Sequence, residues 1–453
     1  MIKTIEEFGA KTDGSNCAEA IQKCIDEVSA QGGGTVVIPK GNFVTGPILL
    51  KDKIDLHLDE GAKLIAAGNY EDYPEELQID RITDGLIAEY VLPKRAWIMA
   101  YQAKHIRITG PGTLDGNADA FIEKRGEVIH SMRAPIGGRS QYLERPFTVF
   151  LIDCPNVVLR DFTIDNPAFW ALRLSGCDNV NIFGIKILTD MKVPNADGVD
   201  IDRCENVVIS NCHFETADDC ISIKSCSGTE IYGDTKNIKI ENCFFRTASG
   251  AITLGTESAG DIEDVFLSNC QVVDSHRGFA VRAREGGVIK NVVFKDSKLE
   301  THAYGPDWWG HGEALHVTAA SWDHPEGSTD GNPERLLEGT VENILFENLD
   351  ITTEAATLIW AQRPGLINGV KFKDISVRMK STETWEPRID LRPNGYQDFI
   401  QGPHSPVYFK NASNVSIQNM NITLNTNNPK FYDETSIIDN VEQYTSENFI
   451  INR

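Results

Sequence analysis

The chain of 453 residues carries 66 acidic and 43 basic side chains, a formal net charge of −23, and 41% of it is hydrophobic. Such a composition supplies a globular core but no basic surplus to neutralise phosphates, which excludes nucleic acid and anionic membranes as general partners. An anionic ligand must therefore be drawn in by a local cluster of cations.

The first residues, "MIKTIEEFGAKTDG", hold neither a basic nor an apolar leader region. No later run approaches the ~18 apolar residues of a membrane span, so the expected location is the cytoplasm. Residues 18–29, "AEAIQKCIDEVS", place Ile21, Cys24, Ile25 and Val28 on one helical stripe. All ten cysteines lie between Cys17 and Cys270 with no CxxC among them. Buried thiols are expected rather than disulfides or a metal site.

Nine phrases then share one alternating template, from "NVVLRDFTI" (156–164) through "NVVISNCHF" (206–214) to "NVSIQNMNI" (414–422). Alternation of apolar and polar residues predicts strands with one buried face. Eight phrases carry a turn-prone residue at mid-phrase: Asp161, Asn211, Asn242, Asn269, Asp296, Asn348, Asp374 and Asn419. Units this small cannot bury their own face and must stack, which predicts one right-handed parallel β-helix of about ten coils. Early phrases start 23, 27, 31, 27 and 27 residues apart, later ones 52, 26 and 45. The 52 and 45 read as two units each, or as units with long insertions. The helix at 18–29 is expected to cap the N-terminal end, and the Asn-rich stretch 424–453 the other. Segments 66–104, 115–146, 300–340 and 378–410 break the pattern and read as loops along one side.

The stretch "PNADGVDIDRCENVVISNCHFETADDCISIKS" sets Asp197 21 and 22 residues before Asp218 and Asp219. That interval is close to one coil, so the three should be neighbours on adjacent strands, about 4.8 Å apart in the stacking direction. Strict alternation would place Asp218 and Asp219 on opposite faces; a bend at the strand entrance has to bring them together. Three close carboxylates repel, so one should keep its proton near neutral pH, as acid–base hydrolysis requires. An ordinary solvated face is the competing reading. Ser222 and Lys224 are predicted to point outward, Lys224 as a substrate-binding cation. In "GFAVRAREGG", Arg282 and Arg284 share one face about two coils further on, suited to gripping a carboxylate. In "PDWWGHGEALHVTA", Trp308 and Trp309 are candidates to stack on a sugar, or to pack.

Together these residues resemble the polygalacturonase family, the family-28 glycoside hydrolases. "PNADGVD" is similar to its Asn-Thr-Asp-Gly motif, "ADDCISIKS" to its Asp-Asp motif and "GFAVRAREGG" to its Arg-x-Lys strand. "FGAKTDG", "GGGTVVIPKG" and "WWGHGE" extend the likeness along the chain. The resemblance implies one pectin-lyase-like β-helix domain over 1–453, with residues 1–45 as N-terminal cap and lead-in and 424–453 as C-terminal cap. It implies Asp218 as general acid, and Asp197 and Asp219 as the residues that position and activate water. Inversion at the anomeric carbon follows, with carboxyl groups about 6.5–9.5 Å apart and no metal or other cofactor. Arg282, with Arg284 in place of the usual lysine, would bind a uronate carboxylate. Arg173 stands where many bacterial relatives have histidine, as an added anion contact. Ala196 replaces the motif's threonine. The family's Gly-His-Gly segment corresponds to "ASGAITLGTE", without its histidine, as in rhamnogalacturonan-cleaving relatives.

The expected partner is an acidic, galacturonate-containing oligosaccharide. Two other functions fit the same chain: a calcium-dependent β-eliminating lyase, and a non-catalytic carbohydrate-binding solenoid. Exo or endo action and oligomeric state carry no sequence signature.

Overall fold

The computed structural model describes residues 1–73, 95–122, 145–305, 310–322, 336–392, 399–425 and 428–453. Among these, 33 strands join one continuous parallel sheet that winds as a right-handed β-helix. The winding follows from the repeat: each phrase buries its alternate apolar side chains only by lying on the phrase before it. One inward row shows this rung by rung. Val36, Leu56, Ile108, Leu159, Ile182 and Ile209 are paired in succession, followed by Ile240, Leu267, Phe294, Phe346, Phe372 and Ile417. That makes twelve rungs, more than the ten coils expected, because the early coils lack the recognisable phrase. A single buried apolar cluster runs from Ile5 to Tyr432.

The corners explain the repeated Asn and Asp. All eight mid-phrase residues adopt positive φ, between 50° for Asp296 and 69° for Asp161, a conformation that Asn and Asp tolerate best after glycine. Their side chains also bond from coil to coil, as in Asn348 to Asp296 (2.7 Å) and Asn419 to Asp374 (2.8 Å). Cys212, Cys243 and Cys270 follow as an inward stack. Each thiol donates to the carbonyl two residues earlier, at 3.2–3.3 Å. All ten cysteines are free and buried.

Both long intervals resolve into single coils with insertions: Ile344 pairs directly with Val292, and Val415 with Val370. Helix α1 (Ala18–Ala30) buries Ile21, Cys24, Ile25 and Val28 against the first coils, as its stripe predicts. At the other end, Ile437–Glu442 and Thr445–Asn452 pair in parallel with Val407–Leu424. The stretch after 424 thus extends the stack, its corners held by Asn440 and Asn448 at positive φ. Among the described residues, no helix is long and apolar enough to cross a membrane.

One row of parallel strands carries the site. In order it is β1 (Phe147–Ile152), β2 (Leu172–Ser175), β3 (Val199–Asp202), β4 (Ile221–Ser225), β5 (Gly250–Ser258), β6 (Arg277–Ala283), β7 (Leu315–Ala319) and β8 (Thr357–Ala361). An antiparallel hairpin of β9 (Arg388–Asp390) and β10 (Phe399–Gln401) lies outside the main sheet.

Candidate active site

Register decides which carboxylates meet. Val199 pairs with Ile221 and Asp202 with Lys224 across β3 and β4. Just before those strands, the Gly198 amide donates to the Asp219 carbonyl (2.9 Å), so Asp197 stands one rung below Asp219. A Cβ at Gly198 would lie 2.3 Å from the Cys220 carbonyl oxygen, which is why the motif needs glycine there. The bend demanded at the entrance of β4 is present. Hydroxyls of Thr216 and Thr247 both donate to the Asp218 carbonyl, at 2.5 and 2.6 Å, and pin the chain as it turns. Asp218 and Asp219 consequently share the cleft with Asp197. One carboxylate oxygen from each of the three lies within 4.8 Å of the others. The nearest oxygens are thus closer than the 6.5–9.5 Å carboxyl separation expected of an inverting pair, because three groups are packed onto two adjacent rungs.

Asp219 is aimed by two donors at its Oδ1, the Ser249 hydroxyl (2.9 Å) and the Gly250 amide (2.8 Å). These belong to the segment in which the resemblance lacks a histidine; a hydroxyl and a main-chain N–H support the carboxylate there. A Cβ at Gly250 would sit 2.7 Å from that same oxygen.

Electrostatics favours the protonated forms of Asp197 and Asp218. Burial, then the charges of Asp218 and Asp200, push Asp197 well above the ordinary carboxylate range. Burial and Asp219 raise Asp218 to about 6. A fourth carboxylate, Asp200, is wholly buried, and neither of its oxygens has a hydrogen-bond donor among the described residues. Burial raises it to about 7 even though the nearby charges of Lys224 and Arg173 pull it down.

The cations fall into two classes. Lys224 faces the cleft side as predicted but is enclosed. Its Nζ is 3.0 Å from Glu257, 3.5 Å from Asp200 and 4.4 Å above the Trp170 ring. Burial opposes its charge, yet Glu257, Asp200 and Asp197 outweigh that and hold its pKa well above the usual lysine value. Glu257 is drawn down to about 2 against its burial, by Lys224 and Arg284. Arg173 is fully buried, paired with Asp202 at 3.4 Å and packed among Phe147, Phe150 and Trp170. It braces the aromatic wall instead of presenting an anion contact. Arg284 is likewise fully buried; it donates to the Thr256 carbonyl (3.0 Å) and lies 3.6 Å from the Trp322 ring.

Arg282 differs. Two coils beyond β4, at roughly 10 Å, it has no carboxylate within ion-pair distance among the described residues. Its one hydrogen bond there is a long contact, 3.4 Å, to the Arg392 carbonyl. Burial and the adjacent Arg277 push its guanidinium down to about 9, still charged at neutral pH and short of an anion. Trp308 and Trp309 lie outside the described residues.

Sequence reasoning missed Asp200, Glu257, Ser249 and Trp170. Alternation in "GVDID" already set Asp200 opposite Val199 and Ile201, so that one was within reach; the others depend on which strands meet.

Comparison with known proteins follows the geometry. The model of glycosyl hydrolases family 28 matches residues 33–306. The chain is 26% identical over 314 residues to a probable polygalacturonase of Vitis vinifera, covering 66% of this chain and 60% of that protein. It is 25% identical over 471 residues to an exo-poly-alpha-D-galacturonosidase of Dickeya chrysanthemi, covering 92% of this chain and 74% of that one. The family 28 exopolygalacturonase of Yersinia enterocolitica superposes with a TM-score of 0.72 at 20% identity, over 98% of this chain and 78% of its own.

Proposed function

The chain belongs to family 28 of the glycosyl hydrolases, and on that premise we propose that it hydrolyses α-linked, galacturonate-containing pectic oligosaccharides, rhamnogalacturonan-derived ones included. The observation that carries this reading is the joint placement of three carboxylates within 4.8 Å and, two coils away, of Arg282, which has no carboxylate at ion-pair distance among the described residues. The first is a proton-transfer device; the second is a seat for a uronate carboxylate.

In this mechanism Asp218, raised to about 6, protonates the leaving glycosidic oxygen. Asp197 and Asp219 hold a water between adjacent rungs; Asp219 takes its proton as it attacks from the opposite face of the ring, while Asp197, kept protonated by burial, positions it. The anomeric centre inverts. A charge entering with the substrate's carboxylate is met at Arg282, which has no carboxylate within ion-pair distance among the described residues. Lys224 and Glu257 serve from behind, holding the field around Asp197 and Asp200 steady.

Proton NMR of digests of homogalacturonan and rhamnogalacturonan oligosaccharides tests the reading in one measurement. The first product should carry the anomer opposite to the bond cleaved. A retained anomer would remove the inverting step and leave hydrolysis. An unsaturated, ultraviolet-absorbing product sensitive to chelators would replace hydrolysis with elimination, since three carboxylates are also a donor set for calcium.

A further inference from the structure

A row of hydroxyls runs beneath the entrances of the site strands. Thr216, Thr247, Ser275, Thr301 and Thr353 each end the strand that precedes one of β4 to β8. All five are at most 2% exposed. Register links neighbours in the row: Thr216 pairs with Thr247, and Ser275 with Thr301. A hydroxyl buried this deeply costs stability unless it is bonded, and each of the five donates to a main-chain carbonyl. Twice, two hydroxyls converge on one acceptor. Thr301 and Thr353 meet at the Gly312 carbonyl, at 2.7 and 2.6 Å. Thr216 and Thr247 meet at the Asp218 carbonyl, at 2.5 and 2.6 Å.

At Asp218 the pair does more than hold a turn. The amides that face this carbonyl from the next coil are engaged elsewhere: Ser249 N–H donates to Thr247 Oγ1 (2.9 Å) and Gly250 N–H to Asp219 Oδ1 (2.8 Å). The hydroxyls take over the acceptor and so release the Gly250 amide for a carboxylate. The other side of the same peptide group, the Asp219 N–H, donates to Asp218 Oδ1 at 3.0 Å. Two bonds to a carbonyl polarise its peptide and strengthen the N–H as a donor, because hydrogen bonds in series reinforce one another. The hydroxyls thus reach the Asp218 carboxyl through a single peptide bond. Thr247 also reaches Asp219, since the Ser249 whose amide it accepts gives its own hydroxyl to Asp219 Oδ1 at 2.9 Å.

We infer that Thr216 and Thr247 are positioning residues for the proposed hydrolysis, a clamp on the Asp218 carbonyl that fixes both the direction and the acidity of the Asp218 carboxyl. The inference rests on the reading of Asp218 as general acid. Its sign follows from the bond it acts through. Donation from the Asp219 N–H favours the ionised carboxyl, so a loosened clamp should let Asp218 keep its proton to higher pH.

Thr216→Val and Thr247→Val preserve side-chain shape and delete the hydroxyl. Each should lower kcat about fivefold, the factor of one neutral hydrogen bond, with KM little changed because the acid acts in the transition state. Each should also move the alkaline limb of kcat to higher pH, and Thr247→Val, which loosens Ser249 as well, should cost more activity. Thr216→Ser and Thr247→Ser keep the donor and should restore both readouts. Thr301→Val deletes the equivalent bond at Gly312 and should lower the melting temperature with the limb in place. A limb unmoved in the folded valine variants, moved as far by Thr301→Val, or left displaced in the serine variants overturns the inference. Carbon-13 NMR of protein labelled at its aspartate carboxyls reads the titration without substrate, the Asp218 signal being assigned by its loss in Asp218→Asn. Should the wild type cut no uronate oligomer, the hydrolase reading fails by itself. An Asp218 signal that titrates alike in wild type and both valine variants fails the clamp by itself.

Discussion

The two ends of the cleft are built on opposite plans. At the carboxylate end, Asp197, Asp200, Asp218 and Asp219 come from two adjacent coils, and like charges are forced together by register. At the Arg282 end, a cation is set beside a hairpin more than 100 residues away in sequence, and opposite charges are tied into a network. The first arrangement is destabilising by itself and stores its cost as raised carboxylate pKa values. The second is held by an apolar cluster over β8 and by the ion pairs of Asp390 with Arg277 and Arg392. Reactivity is therefore concentrated where the repeat is strictest, and selectivity where the repeat has been interrupted.

The largest way to break the comparison is Asp218→Asn. Loss of the proton donor should lower kcat by about 10²–10⁴-fold with binding within a few-fold, because the donor acts in the transition state. In the wild type, kcat should fall as pH rises through about 6, the value to which Asp218 is raised. A loss below threefold would move the chemistry elsewhere.

Arg282→Ala probes the other end. Removing a charge-assisted partner worth roughly 1.5–3 kcal/mol should weaken uronate substrates tenfold to a hundredfold. Neutral analogues should barely change, and wild-type binding alone should weaken as salt rises. Equal proportional losses for charged and neutral sugars would show that the cation is structural.

Stability offers a third contrast. Asp200 is raised in the folded state to about 7 from the ordinary aspartate value of 3.8. The folded protein then binds more protons than the unfolded chain between those values, and stability falls as pH rises through that window. Glu257, depressed to about 2, acts in the opposite sense, its stabilisation being lost only as pH falls below about 4.5. Buried His311, His316 and His404, all lowered by burial, add stability as pH rises through the same window, so it is the difference between wild type and variant in denaturant midpoints from pH 5 to 8 that isolates Asp200. Asp200→Asn should flatten the decline by an amount on the order of a few kcal/mol at most. An unchanged slope would mean that Asp200 is not where the charge is resisted.

Ser249→Ala should have the smallest effect, a few-fold in kcat, since one neutral hydrogen bond is worth about 1 kcal/mol and the Gly250 amide still holds Asp219.

The same contrast governs what the amino-acid sequence reveals. Coil spacing, the corner asparagines and the 21–22 residue interval are local or nearest-neighbour properties, and they survive in the text of the chain. Asp200 was within reach by alternation. Burial of Arg173 and Arg284 was not, because it depends on aromatic side chains from other coils and loops: Phe147, Trp170 and Trp322. The hairpin beside Arg282 was the least legible part. Nothing about "RIDLR" announces that Asp390 reaches Arg277 across 113 residues, or that Leu391 will roof β8.

The sheltered thiols have a practical consequence. Every cysteine lies buried between Cys17 and Cys270, several donating to main-chain carbonyls; burial lifts Cys24 to about 11, and Cys243, although lowered by its bond to Cys212, is lifted by Cys270 and burial to about 12. Alkylating reagents attack the thiolate, so the native protein should be nearly inert to them at neutral pH. Opening at the helix-capped start would expose Cys17 and Cys24, opening between residues 154 and 270 would expose the other eight, and opening confined to the last third would expose none. The molecule thus carries a built-in clock, and one that runs from only one end: counting labelled cysteines against time, peptide by peptide, would show whether this solenoid frays from its helix-capped start or comes apart all at once.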